Sequence, residues 1–228
     1  MTGASTSEAS GGKAPRGRID KRQAILEAAF TVFAREGYAN ACVKQIAAEA
    51  NVAKPTVYNH LNDKANLFRQ AIEVVAEKAM AENLAVMERL ASPKPDLRAA
   101  LEDVGHRFLL CYSSDESTAL RRLAYAEVSR FPELMGAVRG GGTNRVTEAL
   151  ADRLARLTLD GRLGANDPAL AAEQFIALLT GPMETRSGFG TTKVPDDELR
   201  SLARAAVHTF LQAFGTADID ITVPAPSF

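Results

Sequence analysis

The sequence has 228 residues, of which 46% are hydrophobic and 24% charged, and its net charge is −1. A chain of this length and composition can bury a core without metals or disulfides. Two cysteines are too few for a disulfide-stapled secreted scaffold, and no apolar run approaches the roughly 20 residues that cross a bilayer. The N-terminus also lacks the apolar core of a signal peptide, so we expect a cytoplasmic protein with no membrane partner.

The net charge hides an asymmetry along the chain. Residues 13–69 carry ten Lys or Arg and five Asp or Glu, a net charge of +5, which leaves −6 for the remainder. A basic segment on an acidic body indicates a polyanionic partner at one end of the molecule. The alternative is a solvated charged face with no partner.

Helical patterns follow one another along the chain after a Ser/Gly/Ala-rich N-terminal tail. Apolar residues at three- and four-residue spacing predict a first helix that stops at Gly37. Two short helices are expected at residues 43–50 and 54–60, then a long helix capped by Asp63. Beyond a Pro-containing break, helices are predicted at residues 97–112, 117–130, 132–139, 143–159, 168–186 and 196–214. No sustained two-residue alternation occurs, so the predicted fold class is all-α.

A helix-turn-helix is predicted at residues 43–60. Two short helices that cross closely need a small residue at the crossing, here Ala47. The turn needs a residue that tolerates left-handed backbone, and Asn51 lies four positions further on. The aliphatic side chains expected to close the small core are Ile46, Val52, Val57 and Leu61. The second helix then offers donors suited to phosphates and base edges.

This stretch resembles the signature of the TetR/AcrR family of repressors over about residues 20–70. The matching residues are Gly37-Tyr38, Ile46-Ala47, Asn51-Val52-Ala53-Lys54-Pro55-Thr56-Val57-Tyr58-Asn59-His60-Leu61-Asn62-Asp63-Lys64 and Leu67-Phe68. The resemblance implies a three-helix DNA-binding domain and a larger helical ligand-binding domain. It also implies dimerisation through the last two long helices.

The DNA-binding residues are predicted on the helix-turn-helix and at the start of the next helix. They are Lys44, Lys54, Pro55, Thr56, Tyr58, Asn59, His60 and Lys64. Tyr58 could instead be a core aromatic, and His60 a capping or packing histidine. Lys64 falls in the first turn of a helix, where a cation opposes the helix dipole, so a phosphate contact is the better reading.

The sequence departs from the family pattern at the start of the second helix. The family commonly has Ser or Thr where this chain has Ala41 and Cys42, so the usual cap is missing. That loss costs about 1 kcal/mol unless another group substitutes. Ala53 likewise replaces a cap-like Ser.

The C-terminal body carries weaker signals. Residues 127–134 resemble one C-terminal subgroup of the family, the AefR-like regulators, although a helix–proline–helix junction with a Glu127–Arg130 pair would also explain them. The glycines at 140–142 lack the lysine and preceding strand of a phosphate cradle, so they predict a helix break. The three histidines share no metal-ligand spacing, and neither a metal nor a cofactor is expected.

The ligand pocket and the dimer interface are predicted from side-chain type and position. Pocket candidates are Phe108, Cys111, Tyr112, Tyr125 and Met183. Dimer candidates are Phe175, Leu178, Leu179, Val207, Phe210, Leu211 and Phe214.

The predicted domains are a disordered tail (1–18), a helix-turn-helix DNA-binding domain (19–66), a ligand-binding and dimerisation domain (67–218) and a second tail (219–228). The predicted function is a homodimeric transcriptional repressor. It would leave its palindromic operator when a small apolar or amphipathic ligand binds the C-terminal domain. The rivals are an enzyme, for which no catalytic constellation is evident, and an architectural DNA-binding protein, which would not need about 150 further residues.

Overall fold

The computed structural model describes residues 16–61, 63–91, 96–136 and 142–216, with side chains from residue 21 onward except at 60, 61 and 142–144. Within these ranges the chain is helical and contains no strand, which confirms the all-α prediction. Several predicted features lie outside the described residues: most of both tails, the break at 92–95, and residues 137–141 with two of the three glycines.

The described helices follow the predicted order. They are α1 (Arg16–Asn40), α2 (Val43–Glu49), α3 (Lys54–Leu61), α4 (Lys64–Met87), α5 (Leu97–Tyr112), α6 (Asp115–Ala126), α7 (Gly142–Leu159), α8 (Pro168–Arg186) and α9 (Asp196–Phe214). A short 3₁₀ helix, Glu88–Leu90, extends α4. α1 begins inside the segment predicted as a tail.

Helix ends follow from capping side chains. Asp63 Oδ1 accepts the Asn66 amide at 2.8 Å, as predicted for the start of α4. Asp96 and Asp167 cap α5 and α8 in the same way, and both helices have the predicted bounds. The prediction of a helix at 117–130 is wrong at both ends, because Ser114 accepts the Ser117 amide and starts α6 earlier, while turns occupy residues 127–130. Of the helix predicted at 132–139, residues 134–136 are helical.

The chain divides into two compact units, of which the first is Met1–Ala71. In this unit α2 packs against α1 and α3. An aromatic cluster closes the core, since the Phe68 ring lies 4.9 Å from both the Phe33 and the Tyr38 ring centroids. Gly37, at φ 75°, interrupts the helical backbone of α1, and this confirms the predicted stop.

The second unit, Ile72–Phe228, has a core built mainly from α5, α7, α8 and α9. α5 packs along α9, and α8 packs against α7 and α9. Gly105 allows the close approach: a Cβ there would lie 3.1 Å from Leu179 Cδ2 and 3.5 Å from Ala203 Cβ. His106 reaches from α5 to the start of α9, with its Nε2 2.7 Å from Asp196 Oδ1.

This packing corrects the predicted dimer interface. Five of the seven candidate side chains have no exposed surface in a single chain: Phe175, Leu179, Val207, Phe210 and Leu211. They pack inside the unit, where the Phe175 and Phe210 rings meet at 5.0 Å. They therefore cannot contact a second copy. Leu178 and Phe214 are half-buried, and their place in an interface stays a prediction.

Candidate functional site

The turn between α2 and α3 has the geometry that the sequence pattern requires. Asn51 adopts the left-handed conformation, with φ 51°, as predicted. The Val52 amide donates to the Ala47 carbonyl at 2.9 Å, which closes the end of α2. Ala47 is 4% exposed and Val57 is 1% exposed, so the small residue and the aliphatic lie in the core as expected.

The start of α2 has a cap that sequence reasoning missed. Gln45 Oε1 accepts the Cys42 amide at 2.9 Å, which is half of a capping box. Gln45 therefore satisfies an amide that would otherwise lack a partner at the helix start. The signal was present in the sequence, because Gln at the third helical position is the usual partner in this motif.

One face of α3 is exposed and polar. Lys54, Pro55, Tyr58 and Asn59 are exposed, whereas Thr56 is half-buried. Tyr58 is 43% exposed, so it is not the core aromatic of the alternative reading. Lys54 Nζ lies 5.8 Å from the Tyr58 ring centroid, which places a cation and a phenol side by side one helical turn apart.

The neighbouring predicted residues differ in what the structure describes. Lys44 is exposed on α2, and its ammonium is available to an anionic partner. The side chain of His60 lies outside the described set, so its role stays a prediction. Arg35, also in the first unit, forms ion pairs with Glu36 at 2.9 Å and Glu49 at 3.4 Å. Its charge is therefore already balanced.

Lys64 has partners inside the first unit. Its Nζ donates to the Ala39 carbonyl at 3.0 Å and lies 4.8 Å from the Tyr38 ring centroid. An ammonium has three N–H donors, so these contacts leave donors for a phosphate oxygen. Lys64 thus holds the chain that follows Gly37, and its predicted phosphate contact stays a prediction.

We expect Lys64→Met to weaken binding to all DNA sequences alike and to lower the thermal stability of the protein. The first effect comes from a lost phosphate contact, and it should reduce the slope of log K against log salt by about 0.9. The second comes from the lost contacts to Ala39 and Tyr38, each of which contributes about 1 kcal/mol. Fluorescence anisotropy across a salt series and a thermal melt measure the two effects separately.

Arg35→Gln is the matched control, since it removes a neutralised cation from the same unit. It should leave the salt slope unchanged. An unchanged slope in Lys64→Met would reduce Lys64 to its structural contacts.

A small cavity of about 40 Å³ lies in the second unit. Two of the predicted pocket residues, Tyr112 and Tyr125, line it. Phe108 and Met183 belong to the hydrophobic core, Cys111 packs against that core, and none of the three lines this cavity. Burial raises the pKa of the Cys111 thiol, which keeps it protonated at neutral pH. A ligand contact by these three remains a prediction.

The cavity also contains an arginine that sequence reasoning missed. The Arg121 guanidinium lies 3.7 Å from the Tyr112 ring centroid and donates to Thr118 Oγ1 at 3.4 Å. Burial lowers the pKa of Arg121 and raises the pKa of Tyr112. In the sequence Arg121-Arg122 reads as a solvated charge pair, so only the fold distinguishes the half-buried residue from its exposed neighbour.

The loop after α8 brings a further aromatic side chain to the cavity. Phe189 lines the cavity, is 72% exposed and has φ 56°, a conformation that is strained for a residue other than glycine. Gly190 packs so closely on α6 that a Cβ would lie 2.3 Å from Thr118 Cγ2. Its amide donates to Ser187 Oγ at 3.0 Å, and the Phe189 amide donates to the Glu184 carbonyl at 2.7 Å. The loop is therefore fixed at both sides of the exposed ring.

Two further searches concern the described part of the chain alone. It contains no cluster of three or more His, Cys, Asp or Glu side chains arranged to hold a metal ion. None of its helices combines the length and the apolarity needed to cross a membrane.

Two family profiles match the chain. The profile described as bacterial regulatory proteins of the tetR family matches residues 25–71. The profile described as the C-terminal domain of AefR-like transcriptional repressors matches residues 99–216, which is more than half of the chain.

Curated relatives cover the chain to different extents. The HTH-type transcriptional regulator YfiR of Bacillus subtilis (strain 168) is 34% identical over 92 residues, which are 37% of this chain and 45% of that protein. This chain thus spans less than half the length of that relative. The HTH-type transcriptional activator FasR of Mycolicibacterium smegmatis is 25% identical over 184 residues, 77% of this chain and 80% of that protein.

Solved structures match over almost their whole length. A Mesorhizobium loti MAFF303099 protein assigned to the TetR family is 27% identical, with a TM-score of 0.81, and the match covers 87% of this chain and 98% of that one. The flavonoid-responsive regulator FrrA is 25% identical, with a TM-score of 0.67 and the same two coverages.

Proposed function

This chain belongs to the TetR family of bacterial transcriptional regulators, and from that premise we propose that it is a homodimeric repressor released from a palindromic operator by a small organic ligand. Members of the family are regulators that bind DNA through an N-terminal helix-turn-helix, and they are not enzymes. The profile that matches residues 99–216 describes repressors, which favours repression over the activation named for FasR.

The observation that carries the proposal is the exposed polar face of α3. Lys54, Tyr58 and Asn59 lie on one side of a short helix whose opposite side is anchored by the buried Val57. A helix of this kind fits the major groove, where its first residues reach base edges. Lys44 and Lys64 flank it with cations suited to phosphate contacts.

Dimerisation is proposed through the exposed faces of α8 and α9. Small side chains recur at four-residue spacing there, with Ala177 and Gly181 on α8 and Ser201, Ala205 and Thr209 on α9, all exposed. Such faces let two copies of the helix pair approach closely as a four-helix bundle. A two-fold dimer would present two recognition helices about 34–36 Å apart, one turn of DNA.

Release by a ligand is proposed to act on that spacing. The boundary between the two units falls within α4, so a shift of α4 in the second unit is carried by one continuous helix to the first. A coupling of about 1–3 kcal/mol would lower operator affinity roughly 5- to 150-fold. The flavonoid response named for FrrA supports an aromatic or amphipathic organic ligand for this chain.

Selection of bound sequences from random duplex DNA tests the proposal. The full-length protein should enrich inverted repeats whose half-site centres lie about 10 base pairs, or a multiple, apart. Lys54→Ala should cost about 1–3 kcal/mol on the selected operator and relax the preference at one base position. Lys193→Ala, an exposed lysine of the second unit, is the control and should change neither quantity.

Enrichment of no sequence would contradict the operator-binding proposal. An unchanged preference in Lys54→Ala would mean that another face reads the bases.

A further inference from the structure

The cavity of the second unit has a chemical character that the family assignment does not supply. Its lining combines aromatic rings and charges from three places: Tyr112 on α5, Arg121, Arg122 and Tyr125 on α6, and Glu184 and Phe189 from the end of α8 and its following loop. The inference below rests on the proposed function, because it names the class of ligand that this regulator would sense.

Arg121 is a half-buried cation that lacks a carboxylate partner. Among the residues that the structure describes, it has one weak hydrogen bond, to Thr118, and it stacks on Tyr112. Glu184 acts on it only as a more distant charge, without a hydrogen bond. A guanidinium has five N–H donors in a planar fork that matches a carboxylate, so most of its donors are free for a ligand.

The balance of charge in the lining favours an anion. Arg121 and Arg122 contribute two positive charges and Glu184 one negative charge, so the lining carries a net charge of +1. Glu184 and Arg122 are exposed and screened by solvent, whereas Arg121 is partly desolvated. The charge of Arg121 therefore dominates the inner part of the cavity.

The outer part of the cavity is aromatic. Tyr125 is 46% exposed and Phe189 is 72% exposed, although both are residues that gain from burial. Phe189 is held outward by a strained backbone and by a loop packed on α6, a feature that clusters at ligand-binding sites. Two open rings beside a cation form a natural seat for a flat aromatic group.

The size of the cavity sets the arrangement of the ligand. A volume of about 40 Å³ is enough for a few water molecules or a carboxylate, and too small for a ring system. The charged head group would therefore enter, and the rings would rest against the exposed Tyr125 and Phe189.

We propose that this cavity binds an aromatic carboxylate, with the carboxylate on the Arg121 guanidinium and the rings between Tyr125 and Phe189. The ligand is thus amphipathic, as the sequence suggested, but its recognition depends on a charge.

Titration calorimetry of the full-length protein with 2-naphthoate and its neutral analogue 2-naphthamide tests the proposal. The two probes share a ring system and differ in charge. The wild-type protein should bind 2-naphthoate at least about tenfold more tightly, because only the anion forms charge-assisted hydrogen bonds with Arg121. Equal affinities, or no binding of either probe, would overturn the proposal without the need for any variant.

Arg121→Met should remove the preference for 2-naphthoate, whereas Arg122→Met should retain it to within about threefold, since Arg122 is exposed. Arg121→Lys keeps the charge but loses the planar fork, and we expect an intermediate preference. Thermal melts of each variant check that the fold is intact. A preference that survives Arg121→Met in a folded protein would also overturn the assignment.

Release of selected operator DNA separates this inference from the proposed function. If 2-naphthoate binds through Arg121 but leaves operator affinity unchanged, the site stands and ligand-controlled release fails. If a neutral apolar compound releases the DNA and acts equally on Arg121→Met, ligand control stands and the carboxylate site is overturned.

Discussion

Replacing Ala205 with arginine is expected to give monomers and to weaken operator binding by at least about a thousandfold. Ala205 is exposed at the centre of the α9 face that we propose as half of the dimer interface. An arginine there would place a bulky cation, and its two-fold copy, where helices have to approach closely. A monomer contacts one half-site, so the gap between specific and non-specific binding, about 10³ or more, is lost.

Sedimentation velocity at micromolar concentration and anisotropy with the selected operator measure the two effects. Ala126→Arg is the matched control, because Ala126 is an exposed alanine of the second unit on α6. It should remain dimeric and bind DNA normally. A wild-type protein that sediments as a monomer, or an Ala205→Arg variant that remains a dimer, would contradict the proposed interface.

The change from Phe210 to Ala205 as the decisive residue shows what hydrophobic periodicity does and does not predict. The spacing of Val207, Phe210 and Leu211 correctly indicates a buried face of α9. It cannot indicate whether the covering partner is another helix of the same chain or a second copy. In this protein α5 covers that face, with Gly105 giving the clearance.

Helix bounds were predictable where a single residue determines them. Asp96 and Asp167 accept amides of the first turn, and Pro168 begins α8. Asn51 adopts the left-handed turn because few other residues tolerate it. These are local effects, since each depends on side chains a few positions away.

The cavity was only partly predictable because it depends on distant segments. Tyr112 and Tyr125 were identified from their residue type, yet Arg121 and Phe189 were not. Residue 189 meets α6 only because α8 returns the chain to that side of the unit, over a separation of about 70 residues. No periodicity in a short window contains that information.

The second large effect is expected at the crossing of the two short helices. Ala47→Leu should destabilise the first unit by about 1–3 kcal/mol, because Ala47 is 4% exposed and α2 packs on both α1 and α3. A leucine would push α3 away and tilt the exposed face that carries Lys54 and Tyr58. Operator affinity should fall by more than about tenfold, since base contacts tolerate little misplacement.

Hydrogen exchange at the Val52 amide gives a local measure of the same change. That amide donates to the Ala47 carbonyl, so its exchange should accelerate roughly 5- to 150-fold for a loss of 1–3 kcal/mol. Ala48→Leu is the matched control, because it makes the same substitution at the next residue, which is exposed. It should leave both exchange and DNA binding near the wild-type values. If the two variants behave alike, Ala47 is not the close contact of the helix-turn-helix, and the buried position of this alanine has no consequence for DNA recognition.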